Sequence, residues 1–406
     1  MGEDPGESSG PARALGHQRL GRPTPGGGKL RMGGGGGQVQ AALRRRAEKT
    51  EKGDFALGEK APPLPGPIAA DPSPGEKTDL FPGRKEGSME SVVVPDDFPP
   101  ILSGTAALKK LEQHARVTVY TQRASSPEEL VRRLQGATVA VNIRAYSKFD
   151  EPLLRSCPGM KMIAVLGVGT DNIDLAAASR LGIQVTNTPG FSAVSVAEHT
   201  LALLMAAARK IPEHERELRA GRWTRLPMTQ LHGKRVGIIG FGNIGRQFAG
   251  LAKGIGMEVW AWTFNPSPQR AEAAGIQFVE FDRLLSQSDV VAVTIKASEK
   301  TRGLLSRQAF EKMKPSCILV NTARASIVDT AAMMEALQTG KLAAAALDVY
   351  DREPLPADDP LLSLSNVVLS PHNAGMTPEA IERGNEMLVE NVISFLQGKL
   401  INPVNG

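Results

Sequence analysis

The stretch Val236-Gly237-Ile238-Ile239-Gly240-Phe241-Gly242-Asn243-Ile244-Gly245 constrains the fold of this chain more than any other. A short apolar run that reads as a buried strand enters a G-x-G-x-x-G turn, and a helical pattern leaves it and reaches about Gly254. In that strand-turn-helix setting each glycine has its own physical reason. Gly240 permits a tight turn, Gly242 lets the backbone approach a pyrophosphate, and Gly245 lets helix and strand pack closely. With Asn243 and Ile244 completing the loop, the segment reads as a dinucleotide-binding unit of a parallel sheet.

The surrounding chain agrees. From Arg116 onward, β-branched runs alternate with helical patterns: Val117–Tyr120, a helix over Pro127–Leu134, Val139–Ile143 and Met162–Val165. A long helical pattern follows Ser192 through Ala208. A second alternating series then begins at Arg235, with strands at Val236–Ile239, Val259–Trp262, Val290–Ile295, Ile318–Val320, Ala344–Val349 and Val367–Leu369. Such alternation implies βαβ units. The fold class is therefore α/β: two Rossmann-like or flavodoxin-like domains with parallel sheets, an active-site cleft between them and a disordered N-terminal tail. The last helix, about Pro378 to Gln397, has no strand after it in its own domain, so it is expected to return to the first. The expected division is a tail over 1–88, a discontinuous substrate domain over 89–191 and 375–406, and a dinucleotide-binding domain over 192–374.

Composition removes several function classes. Up to Ser88 the chain carries glycine runs and repeated prolines without apolar periodicity, a composition that cannot offset its own ordering entropy. That segment holds 14 Lys+Arg against 11 Asp+Glu, so most of the net charge of +5 sits there and the rest is near neutral. Nucleic acid is therefore not an expected partner, and the Arg44-Arg45-Arg46 cluster reads as a solvated charge run. Met89 opens ordinary globular composition, which makes it a candidate true start. No run approaches the ~18 apolar residues of a membrane span, and nothing in the N-terminus resembles a signal peptide. Cys157 and Cys317 are too few for a disulfide framework, so a reducing, cytoplasmic setting is expected. No His/Cys spacing suggests a metal site.

Three polar residues follow three strand-like runs downstream of the fingerprint: Arg324 after Cys317–Ala323, Glu353 after Ala344–Tyr350, and His372 after Val367–Pro371. Ligands of open α/β sheets bind outside the carboxyl ends of the strands, so all three face one cleft. A planar, permanently charged arginine suits a carboxylate, and a histidine beside a carboxylate suits proton transfer. This is the equipment for moving hydride and proton to a 2-keto acid. The carboxylate that usually holds the adenosine ribose belongs about twenty residues past the fingerprint. Thr263 stands there instead, followed by Phe264, Asn265 and Pro266, with Arg270 a turn further on. Neither hydroxyl nor amide repels a 2′-phosphate, so the cofactor reads as NAD or NADP, with NADP tolerated.

The ordered motifs Gly167-Val168-Gly169-Thr170-Asp171-Asn172-Ile173-Asp174, Asn187-Thr188-Pro189-Gly190, Ser195–Thr200, Gly237–Gly245, Thr301–Leu304, Asn321–Arg324, Ala346–Pro354 and Ser370–Gly375 together resemble the D-isomer-specific 2-hydroxyacid dehydrogenase family. The resemblance spans about Val117 to Pro403. It implies that His372 gives a proton to the carbonyl oxygen, that Glu353 holds the imidazole in one tautomer and favours its protonated form, and that Arg324 grips the substrate carboxylate and polarises the keto oxygen. It implies cofactor contacts at Gly240, Gly242, Asn243, Ile244, Gly245, Thr263, Thr294, Thr322, Ala323 and Asp348. Substrate contacts are implied at Arg144, Gly167, Val168, Gly169 and Arg324, the glycine turn offering amide N–H groups to an anion. A homodimer is a common state of the family. His199 is expected to pack or hydrogen-bond at the domain junction.

Ala325 replaces the glycine that commonly follows the arginine, and Lys296 stands where a proline is frequent. The chain ends soon after its last helix, without the regulatory extension of some phosphoglycerate dehydrogenases. The expected substrate is a short D-2-hydroxy or 2-keto acid of the glyoxylate or hydroxypyruvate kind. The alternatives are D-3-phosphoglycerate dehydrogenase and, in another class, an NAD(H)-sensing corepressor-like binding protein. Formate dehydrogenases of the family usually pair the histidine with glutamine, and Glu353 argues against that activity.

Overall fold

A computed structural model describes residues 89–144 and 146–405. The expectations for the tail, for Arg44–Arg46 and for the segment ahead of Met89 lie outside the described residues. In the first part of the chain the elements run β1 (Ser91–Val94), α1 (Ala106–Glu112), β2 (Arg116–Val119), α2 (Pro127–Leu134), β3 (Val139–Asn142), α3 (Glu151–Arg155), β4 (Met162–Val165), α4 (Leu175–Arg180) and β5 (Gln184–Thr186). The strands form one parallel sheet in the order β2-β1-β3-β4-β5. β3 and β4 are buried at every position, which is why they read as continuous apolar runs. Helix starts follow local chemistry: Ser126 caps α2 ahead of Pro127, and Asp174 caps α4 through Ala177 N at 2.8 Å. β1 was not among the expected strands, although Val92-Val93-Val94 is β-branched and the strand is flanked on both sides, by β2 and β3.

The second part runs α5 (Ala193–Ala208), α6 (Ile211–Arg219), β6 (Arg235–Ile239), α7 (Asn243–Gly254), β7 (Glu258–Trp262), α8 (Pro268–Ala274), β8 (Gln277–Phe278), α9 (Phe281–Gln287), β9 (Val290–Val293), α10 (Arg307–Lys312), β10 (Ile318–Asn321), α11 (Thr330–Gln338), β11 (Ala344–Leu347), β12 (Val367–Leu369) and α12 (Pro378–Leu396). Its sheet is parallel throughout, in the order β12-β11-β10-β9-β6-β7-β8. Chain order reverses between β6 and β9, the switch point where such sheets open a crevice.

Register makes this edge a row. Trp262 pairs with Ile239, Ile239 with Val293, Val293 with Asn321, Asn321 with Leu347, and Leu347 with Leu369. The next residue of each strand therefore steps out along the same carboxyl edge: Thr263, Gly240, Thr294, Thr322, Asp348 and Ser370.

α5 packs against α7, β10 and β11. Its Ala197, Leu203, Leu204 and Ala207 share a core with Val236, Phe248 and Val320. Phe248 is fully buried, and burial of a side chain of that size stabilises by ~1.5–3 kcal/mol. α12 places Leu388, Val389, Val392, Ile393, Phe395 and Leu396 in a core with Val92, Val94, Val139 and Met162 of the first sheet. Beyond it, Val404 N donates to Val185 O at 2.9 Å, which ties the end of the described chain to β5. The chain passes between the sheets near Ser192 and again near Gly375, and the passages touch: a Cβ on Gly375 would lie 3.2 Å from the Ser192 Cβ, and Ser195 Oγ is 2.8 Å from Thr377 Oγ1.

Candidate active site

The fingerprint turn is built for close approach. Gly240 has φ 96°, and a Cβ there would meet the Ile295 backbone at 2.5 Å. A Cβ on Gly245 would lie 2.3 Å from the Gly240 carbonyl oxygen. At Gly242 nothing lies within 4 Å, and this residue caps α7 without any side-chain hydrogen bond. Open space at Gly242, at the N-terminus of a twelve-residue helix, fits the pyrophosphate of a dinucleotide. Asn243 reaches toward the first sheet, its Nδ2 occupying the space 2.8 Å from where a Cβ on Gly190 would be.

The other residues of the row interlock. Thr294 Oγ1 donates to the Gly240 carbonyl at 2.7 Å and so braces the turn. Thr322 Oγ1 meets Thr200 Oγ1 of α5 at 2.8 Å. Thr263 follows β7 without a carboxylate beside it. Arg270 donates to the Phe241 carbonyl and, at 3.4 Å, to that of Asn265, between the rings of Phe241 and Phe278. A fixed positive charge therefore stands beside the fingerprint turn.

Asn321, buried at the end of β10, staples the next loop: its Nδ2 donates to Arg324 O at 3.0 Å and its Oδ1 accepts from Ala323 N at 3.0 Å. Arg324 leaves that loop toward the first sheet. Its Nη1 donates to Ala323 O at 2.8 Å and its Nε to Asp171 Oδ2 at 3.3 Å.

His372 stands in the left-handed region at φ 51°, an unusual conformation for a side chain of this size, and the surroundings hold it there. Asp348, buried, accepts from Asn373 N at 3.1 Å and Ala374 N at 3.0 Å. Tyr350 Oη donates to Ser370 O at 2.8 Å, and His199 Nε2 reaches Ser370 Oγ at 2.9 Å. Both flanks of His372 are thereby fixed. Its Nδ1 lies 2.6 Å from Glu353 Oε2, while Glu353 Oε1 accepts from Tyr350 N at 3.0 Å. Burial pushes the Glu353 carboxyl up, but its bonds to His372 and Tyr350 and the charges of His372 and Arg324 outweigh that and hold it below the usual range. An ionised carboxylate only accepts, so Nδ1 carries the proton. Nε2 has no hydrogen-bond partner among the described residues and is the atom left for proton exchange.

One expectation needs correction. The Gly167 amide is not open to a ligand: it donates to Thr188 Oγ1 at 2.8 Å, and Thr188 N returns a bond to Gly167 O at 3.0 Å. The amides of Val168 and Gly169 have no hydrogen-bond acceptor among the described residues, and the Val168 carbonyl accepts from Asn187 Nδ2 at 2.9 Å. Asp348 Oδ1 and Oδ2 each accept one amide N–H of the His372 loop, from Asn373 and Ala374, so this carboxylate also holds that loop. Arg144 donates to the carbonyls of Phe98 and Pro99, each at 2.8 Å, while its Nη2 is buried without a partner. The sequence pattern assigned no role to Asn321, Tyr350, Thr188 or Asp171; Asn321 ends a strand, which was the available signal, while the other three lie in loops. Among the described residues no cluster of His, Cys, Asp or Glu suits a metal ion, and no helix is long and apolar enough to cross a membrane.

The D-isomer specific 2-hydroxyacid dehydrogenase NAD binding domain matches residues 201–374. Glyoxylate reductase of Korarchaeum cryptofilum is 36% identical over 300 residues, covering 72% of this chain and 90% of that protein. The chain belongs to the D-isomer specific 2-hydroxyacid dehydrogenase family. D-3-phosphoglycerate dehydrogenase of Archaeoglobus fulgidus is 42% identical over 290 residues, which cover 71% of this chain but only 55% of that longer relative. Among solved structures, an NADPH-dependent glyoxylate/hydroxypyruvate reductase from Sinorhizobium meliloti, in complex with citrate, superposes with a TM-score of 0.68. It is 29% identical, and the match covers 78% of this chain and 97% of that one.

Proposed function

We propose that this protein reduces a short 2-keto acid of the glyoxylate or hydroxypyruvate kind to the D-2-hydroxy acid with a nicotinamide cofactor. The observation that carries the reading is the His372–Glu353 pair, 2.6 Å apart and held on both flanks, with Nε2 unpartnered. Residues 192–374 act as the cofactor domain, and 89–191 with 375–406 as the substrate domain. When bound, the cofactor supplies hydride. Gly240, Gly242, Asn243, Ile244 and Gly245 cradle its pyrophosphate, with Thr263, Thr294, Thr322 and Ala323 along its length. Arg324 takes the substrate carboxylate with the amides of Val168 and Gly169, and its charge polarises the keto oxygen. His372 Nε2 gives the proton to that oxygen in reduction and takes it back in oxidation, while Glu353 balances the imidazolium charge.

NADPH is the preferred donor in this reading. Thr263 presents no carboxylate to a 2′-phosphate, and the Arg270 guanidinium is pinned to the fingerprint turn. A homodimer is supported by α6 and the segment after it: no residue of α6 is buried, and Ile211, Leu218, Trp223 and Met228 are all exposed. The free thiols of Cys157 and Cys317 suit a reducing, cytoplasmic compartment.

The 42% identity to a phosphoglycerate dehydrogenase favours one second reading, oxidation of D-3-phosphoglycerate. Absorbance at the reduced nicotinamide band, with glyoxylate, hydroxypyruvate and 3-phosphohydroxypyruvate against NADH and NADPH, separates the two. Fastest turnover of the unphosphorylated acids with NADPH is expected. Preference for the phosphorylated acid selects the second reading; cofactor binding without turnover of any acid rejects both and leaves a cofactor-sensing protein.

A further inference from the structure

The guanidinium of Arg324 crosses from the second sheet into a slot in the turn after β4. A Cβ on Gly169 would lie 2.2 Å from Arg324 Nη2 and 2.8 Å from Asp171 Oδ2, closer than real Cβ atoms approach such groups. Gly169 is not among the glycines with positive φ, so its backbone is one that alanine adopts. Conformation does not require a glycine at this position; space does. The atoms in the way belong to the ends of two side chains, and no backbone obstructs the site.

Asp171 completes the arrangement. Its Oδ2 takes the Nε edge of Arg324 at 3.3 Å, and Ala323 O takes one Nη1 proton at 2.8 Å. With those edges engaged, Nη2 and one Nη1 proton remain, and Nη2 lies over Gly169. A planar fork cannot rotate without breaking both bonds, so the two acceptors set the direction in which the charge is offered. The pair is largely exposed, with side-chain accessibilities of 36% and 60%, and contributes little to folding. Its effect is therefore on direction.

We propose that Gly169 and Asp171 are positioning residues that aim the Arg324 guanidinium at the substrate carboxylate, Gly169 by leaving the slot open and Asp171 by fixing the Nε edge. This rests on the reading of Arg324 as the carboxylate anchor. A residue acting through Arg324 affects ground-state capture of the keto acid more than cofactor binding.

The test is a set of thermodynamic cycles on the full chain: Gly169→Ala and Asp171→Asn, each alone and combined with Arg324→Ala. The readouts are kcat and KM for glyoxylate, thermal midpoint, cofactor affinity by fluorescence titration, and affinity of the cofactor-loaded protein for oxamate by calorimetry. Each single variant is expected to raise KM and weaken oxamate by about tenfold, the effect of one charge-assisted hydrogen bond misdirected. The kcat falls less than KM rises, and the thermal midpoint and cofactor affinity stay at wild-type values. In the Arg324→Ala background neither substitution has a further effect. A lower KM in Asp171→Asn, which would make Asp171 a competitor of substrate, overturns the proposal, as does an undiminished effect without Arg324. If the wild type reduces no keto acid yet oxamate binding follows the predicted pattern, the catalytic reading has failed and the positioning has not.

Discussion

The carboxyl edges of the two sheets solve different problems with the same residue type. At the second sheet, Gly240 and Gly245 leave room for their own backbone, and Thr294, Thr322, Asp348 and Ser370 are bonded to neighbouring loops or to α5. At the first sheet, the turn after β4 is bonded at Gly167 and at the Val168 carbonyl, which accepts from Asn187 Nδ2 at 2.9 Å, and Gly169 leaves room for a side chain that arrives from across the cleft. One edge is a fixed seat and the other a receiving surface. One glycine keeps space for backbone, the other for the end of a charged side chain.

The largest effect expected from breaking that contrast is at Gly240. Gly240→Ala sets a Cβ against the Ile295 backbone at a φ of 96°, and should cost about 3 kcal/mol or more. Denaturant unfolding measures it, and a change below about 1 kcal/mol would mean that this turn yields as readily as the substrate turn.

Next is Asp348, the buried carboxylate of the fixed edge. Burial pushes its carboxyl up, but hydrogen bonds from His199, Ser370 and the amides of Ala374 and Asn373 hold it below the ordinary value of 3.8. A depressed carboxyl contributes stability that is present above 3.8 and is lost as pH falls through the lowered value. Asp348→Asn should lose about 2 kcal/mol at neutral pH, as for a hydrogen-bonded buried charge. Its stability should also fall less steeply than wild type below about pH 4. Parallel pH profiles of unfolding would show that the carboxylate does not hold the His372 loop.

The smallest stability effect is at Gly242, where a Cβ meets nothing within 4 Å. Gly242→Ala should leave unfolding within about 0.5 kcal/mol of wild type, yet weaken NADPH binding about tenfold or more by standing where the pyrophosphate must come. Unchanged affinity, read by fluorescence titration, would move the cofactor away from this turn.

Much of this was legible in the sequence because parallel buried strands are written as short apolar runs. The residues one step past each run, Gly240, Thr263, Thr294, Thr322 and Asp348, could be picked out before their register was known. Ser91–Val94 stands apart from the alternating pattern that starts at Arg116, with α1 and its flanking loops between them. What the runs could not convey was the destination of each polar group. The bond from Gly167 to Thr188 joins residues 21 apart, and that from Arg324 to Asp171 joins residues 153 apart. No local spacing encodes such partners; they follow from how the two sheets meet. His199 shows the same limit, since its place at the junction was expected but not its bond to Ser370, beside the loop of His372.

In the proposed function His372, oriented by Glu353, exchanges the proton while the cofactor sits independently in the second sheet's crevice. The direct test is turnover of glyoxylate or hydroxypyruvate by His372→Ala, measured beside its NADPH affinity. A loss in kcat on the order of 10²–10⁴ with unchanged cofactor affinity is expected. Wild-type turnover in that variant would contradict it.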